Sequence, residues 1–111
     1  MEPPANTPEE HYAAVAEALL RHSEVTRSER RGFGSSGLWT NGKIFAFLSK
    51  GRLVVKLPRQ RVDALVASGE GGRFDPGHGR LMKEWLATTP VSREEWLRLA
   101  TEAMEFVGSR R

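Results

Sequence analysis

Two dipeptides, Asn41-Gly42 and Lys50-Gly51, constrain the fold of this chain more than any other feature. They sit inside the stretch LWTNGKIFAFLSKGRLVVKLP, Leu38 to Pro58. Asn-Gly tolerates positive φ at both central positions, as a two-residue loop matched to the twist of its strands requires. Apolar and aromatic residues fill the intervals. The spacing predicts a three-stranded antiparallel meander over about 35–40, 43–49 and 52–57.

Strand side chains alternate between faces, so the loops also set the register. A two-residue loop at Asn41-Gly42 pairs Trp39 with Ile44. A two- or four-residue loop at the second turn pairs Leu48 with Leu53 and Ala46 with Val55. One face then holds Gly37, Trp39, Ile44, Ala46, Leu48, Leu53, Val55 and Leu57, all apolar, and is expected to meet helices. The expected core is Trp39, Ile44, Leu48, Leu53, Val55 and Leu57, with Trp96 and Leu19 beneath. The other face holds Ser36, Leu38, Thr40, Lys43, Phe45, Phe47, Ser49, Arg52, Val54 and Lys56. An outer face of an antiparallel sheet is commonly mixed, but this one sets two Phe among Lys43, Arg52 and Lys56.

Helical segments flank the meander. Thr7, Pro8 and Glu10 form a capping box with proline in the first turn. Tyr12, Val15, Ala16, Leu19 and Leu20 then recur at helical spacing, and the helix is expected to end near His22. SEVTRSERRGFGSSG reads as a polar connector. PRQRVDALVASG reads as a short helix closed by Gly69. After the Gly-rich link EGGRFDPGHGR, RLMKEWLA reads as a strand paired with Arg73-Phe74. Ser92 and Glu95 open a last helix through Trp96, Ala100, Ala103, Met104 and Val107, stopped by Gly108. The fold expected is α+β: a two-layer sandwich, its antiparallel sheet carrying helices on one face, in the order α-β-β-β-α-β-β-α. A length of 111 residues suits one domain, 1–111, with 1–6 expected to be disordered.

With no cysteine, disulfides, thiolate metal sites and Cys nucleophiles are excluded. The acidic, proline-rich start has no signal-peptide pattern, and no apolar run is long enough for a membrane span. A bacterial-type cytoplasmic protein is the expectation. His11, His22 and His78 are the only histidines, and none stands at metal-ligand spacing. Neither G-x-S-x-G nor G-x-x-x-x-G-K-[ST] occurs. No catalytic residue, metal site or cofactor is therefore expected, and the chain reads as a non-enzyme. Charge is segregated: residues 1–25 carry −4, residues 26–83 carry +8 and residues 84–111 carry −1. A basic middle of this kind steers anionic partners.

The runs GLWTNGKIFAFLSKGRLVVKLP, GRFDPGHGR and MKEW occur in this order with these separations. Together they resemble the TfoX N-terminal-domain-like family, especially its small stand-alone relatives near the YjbR-type proteins. Gly42-Lys43-x-Phe45-Ala46, Lys56-Leu57 and Met82-Lys83-x-Trp85 carry the resemblance, which covers roughly Phe33 to Trp85. It implies a two-layer α/β sandwich with an antiparallel sheet. The regulator of natural competence that names the family has a further C-terminal domain. This chain ends too early for one, so a competence role is not carried over. The resemblance implies no catalytic residues.

The function expected is a small regulatory or adaptor domain acting on a protein partner or as a homodimer, with Lys43, Phe45, Phe47, Arg52 and Lys56 as the contact. The alternative is a nucleic-acid-binding module using the same face, since aromatics flanked by cations suit base stacking and phosphate contact. In a third reading, Phe45 and Phe47 fill a secondary core under a terminal segment. Arg73, His78, Arg80 and Lys83 mark a second place, an anion-binding loop built on glycine backbone. The competing reading there is a plain Asp75-Pro76-Gly77 turn braced by His78 and Arg80.

Overall fold

A computed structural model describes residues 7–27, 37–75, 82–88 and 92–109, with the backbone alone for Met82. Its elements are α1 (Pro8–Leu19), β1 (Val25–Arg27), β2 (Leu38–Thr40), β3 (Lys43–Ser49), β4 (Arg52–Lys56), α2 (Arg59–Ala67), β5 (Gly71–Phe74), β6 (Met82–Thr88) and α3 (Arg93–Ser109). The strands form one antiparallel sheet in the order β1-β2-β3-β4-β6-β5. The architecture is the α+β sandwich expected, with one strand more. β1 lies in the segment read as connector. It is three residues long, and Val25 is its one buried side chain, too little for a period-two pattern to register.

Local chemistry sets the ends of these elements. Thr7 Oγ1 accepts from the Glu10 N–H at 3.2 Å, and the Glu10 carboxylate accepts from the Thr7 N–H at 3.2 Å, closing the capping box. Both hairpins turn on two residues of positive φ: Asn41 at 53° with Gly42 at 76°, and Lys50 at 51° with Gly51 at 77°. At the end of α2, the Glu70 N–H reaches the Leu65 carbonyl at 2.9 Å and the Gly69 N–H reaches Val66 at 3.1 Å. Gly69 has φ 83°. That is a Schellman close, in which the glycine takes the left-handed position. The Ser92 hydroxyl accepts from the Glu95 N–H at 3.4 Å at the start of α3, which runs through Gly108 to Ser109.

All three helices lie on one face of the sheet and share its core. Tyr12, Val15, Ala16 and Leu19 of α1, Val62 and Leu65 of α2, and Trp96, Leu99, Ala100 and Ala103 of α3 meet Leu38, Ala46, Leu53, Val55, Leu57 and Leu86. Arg61 of α2 clamps Glu102 of α3 through two hydrogen bonds of 2.7 and 3.3 Å. The Tyr12 phenol is buried beside Arg27, and desolvation pushes its pKa up from the usual value of 10.0.

The register departs from strict alternation at one point. Trp39 pairs with Ile44, as the turn dictates, but Leu38 pairs with Ala46, leaving Phe45 as an extra residue in β3. This is a β-bulge, and it reverses the faces on its turn side. Leu38, Thr40 and Phe45, expected on the outer face, join the helix side and are 0%, 1% and 0% exposed. Trp39 and Ile44, expected in the helix-side core, are half-buried instead; Ile44 packs with Phe47 on the other face. Beyond the bulge the expected parity holds. Ala46 pairs with Val55 and Leu48 with Leu53 on the helix side, and Phe47 pairs with Val54 on the outer side.

Candidate functional site

The outer face carries a second cluster, separate from the helix-side core. Phe47, Val54 and Ala87 are buried there, and Ile44, Phe74 and Trp85 pack against them half-buried. The pairing builds it directly. Phe47 lies opposite Val54, Val54 opposite Ala87, and Ala87 opposite Gly72, so one row crosses β3, β4, β6 and β5. The side chains in that row shrink from a phenyl ring to nothing. Trp85 stands two residues from Ala87 on the same face, opposite Lys56. Phe74 reaches this face past a second irregularity, where β5 shifts against β6 between Arg73 and Phe74.

The rings brace one another rather than lying flat. Phe47 meets Phe74 edge-on, centroids 5.4 Å apart at 81°, and meets Trp85 at 5.5 Å and 52°. Lys56 Nζ lies 5.7 Å from the Trp85 centroid and 3.9 Å from the Glu84 carboxylate, a weak ion pair beside a cation–π contact. The Trp39 indole N–H is buried and makes no hydrogen bond among the described residues. At the small end of the row, a trough of about 390 Å³ opens over Val54, Ala87 and Phe74. Lys50, Arg52 and Asp75 stand at its rim. Lys50 and Arg52 are exposed there, and neither makes a side-chain hydrogen bond or ion pair among the described residues.

Of the five contact residues read from the sequence, Phe47, Arg52 and Lys56 belong to this face. The bulge moves Phe45 into the helix-side core. Lys43 pairs with Thr40, on the helix-side parity, and lines a depression at the strand end with Ile44, Lys56, Glu84 and Val107 of α3. Phe47 itself is 2% exposed. The accessible apolar surface of this face comes from Trp85, Phe74 and Ile44, none of them among the five expected contact residues. Trp85 was legible, because alternation along MKEWLAT puts it with Ala87 and away from Leu86. Phe74 was not, because its strand shifts register just before it.

Of the four anion-loop residues, the structure describes Arg73 and Lys83. His78 and Arg80 lie outside the described residues. Arg73 faces the helices and is ion-paired to Asp63 of α2, so its charge is engaged. Lys83 is exposed beside that pair and shares a depression with Arg59, Asp63 and Arg73. Among the described residues, no group of three His, Asp or Glu side chains converges as a metal site, and no helix is long and apolar enough to cross a membrane.

The family model of the TfoX N-terminal domain matches residues 18–107 of the 111. The chain belongs to the TfoX N-terminal domain family. The matched span contains the whole sheet, both bulged pairings and the outer aromatic cluster. Only the last two residues of α1 fall within it, although α1 supplies Tyr12, Val15, Ala16 and Leu19 to the core of this TfoX N-terminal domain. No curated protein and no solved structure is a match.

Proposed function

We propose that this TfoX N-terminal domain is a non-enzymatic regulatory or adaptor domain that acts by protein contact through the outer face of its sheet. The observation that carries this reading is the aromatic cluster on the face opposite the helices, where Trp85, Phe74 and Ile44 stay half-exposed around a fully packed Phe47. Rigid, partly buried aromatic side chains give much contact area at little entropic cost, and binding energy concentrates on them.

The ring geometry favours a protein over a nucleic acid. Stacking requires ring faces turned outward and flat. Here Phe47 is enclosed by Phe74 and Trp85, and Lys56 lies over Trp85. Glu84 engages Lys56, and Asp75 stands at the trough rim, so the cations that a phosphate backbone needs are interrupted.

A photo-crosslinking residue at position 85, compared with one at Glu17 on the exposed side of α1, tests the reading in cells. A discrete, nuclease-resistant protein adduct from position 85 alone is expected, either with a second copy or with another protein. Nuclease-sensitive adducts would move the function to nucleic acid. No adduct at either position would remove the contact role of this face.

A further inference from the structure

The two hairpin turns have the same backbone and different chemistry. Asn41 takes positive φ, which its residue type tolerates, and its side-chain amide donates to the Gly108 carbonyl at 3.0 Å, tying the turn to the end of α3. Lys50 takes the same left-handed conformation, where Asn, Asp or Gly would sit with less strain, and its side chain makes no hydrogen bond or ion pair among the described residues. The turn geometry thus accounts for Asn41 and not for Lys50. Lys50 stands at the rim of the outer-face trough. Arg52, equally unpaired among the described residues, stands beside it, and the floor of Val54, Ala87 and Phe74 is apolar.

We propose that this trough is the docking site for an acidic segment of a partner protein, which sets an apolar side chain against Phe74, beside Ala87, and its carboxylates against Lys50 and Arg52. The proposal rests on the contact reading above and names the partner's chemistry. Two unpaired cations beside an apolar floor complement a short stretch that mixes carboxylates with apolar side chains. Gly72 ends the row without a side chain, and a Cβ built there meets nothing within 4 Å. Asp75 on the rim restricts how far negative charge can extend, which suits a peptide with spaced carboxylates better than a continuous polyanion.

The test uses the full chain and three fluorescent probes of equal length: a peptide alternating Asp with Leu and Phe, its Asn-for-Asp counterpart, and single-stranded oligothymidine. The acidic peptide is expected to bind best. Lys50→Asn and Arg52→Gln should each weaken it several-fold, and together about tenfold, as two partly exposed ion pairs allow. Lys50→Asn should at the same time raise the melting temperature, which shows that the weakened binding is not a folding defect. Equal binding of the Asn peptide, or acidic-peptide binding that survives the double variant, overturns the proposal. Tighter binding of oligothymidine overturns it in favour of nucleic acid. If position 85 still crosslinks to a protein in any of these cases, the contact reading stands and only the partner's chemistry is wrong.

Discussion

Leu53, Val54 and Val55 of β4 are all fully buried, yet by different means. Leu53 and Val55 face three helices and a core that gathers side chains from every helix of the described fold. Val54, between them, faces the other way, into a cluster of Phe47 and Ala87 edged by half-exposed rings. The helix side is closed by whole secondary-structure elements. The outer side is closed by side chains leaning on one another, and its rim stays accessible. Substitutions on the helix side should therefore be read out as stability, and rim substitutions on the outer side as contact.

The largest effect should come from Phe45, which separates the two faces most sharply because the bulge decides its side. Phe45→Ala is expected to cost about 3–5 kcal/mol in denaturant unfolding, as buried aromatic truncations do. A cost under about 1 kcal/mol would mean that Phe45 lies outside the core. Trp85→Ser should be milder, about 1–2 kcal/mol, because only part of the ring leaves water on folding. A cost equal to that of Phe45→Ala would make the outer cluster a second core and erase the distinction.

The two turns sharpen the comparison further. Asn41→Ala loses both its tolerance of positive φ and its bond to Gly108, and should cost about 1–2 kcal/mol. Lys50→Asn should stabilise the fold by up to about 1 kcal/mol. The smallest effect at neutral pH is expected at Tyr12, where Tyr12→Phe keeps the ring. The fold accommodates the neutral phenol and raises its pKa, so stability is full below the ordinary value of 10.0 and falls as pH rises beyond it. Thermal unfolding across alkaline pH should show a steep loss in the native chain and a shallower one in Tyr12→Phe.

Much of this architecture was legible because short-range chemistry sets it. Thr7, Pro8 and Glu10 can cap a helix in any context, Asn41-Gly42 demands a tight turn, and Gly69 suits only a left-handed position. The faces were legible only as far as alternation held. Ile44 to Leu48 is five apolar residues in a row, so no polar position marks where parity changes, and inserting Phe45 as a bulge leaves no trace in composition. A single unpaired residue was enough to exchange Trp39 and Ile44 for Leu38, Thr40 and Phe45. The candidate site is affected most, because the face a residue takes decides whether it belongs to the site. Phe47, Arg52 and Lys56, beyond the bulge, take the expected face, whereas Lys43 and Phe45, before or within it, take the other. Phe74 was beyond reach for a related reason: its register depends on a shift between β5 and β6 that arises only when the strands pair.

Hydroxyl-radical footprinting of the full chain, purified and then inside cells, tests most directly whether the outer face is a contact surface. The account predicts that Trp85 and Phe74 oxidise readily in the purified protein and are protected in cells, while Trp96, 0% exposed in the helix-side core, is protected in both. Equal oxidation of Trp85 and Phe74 in the two settings would contradict it.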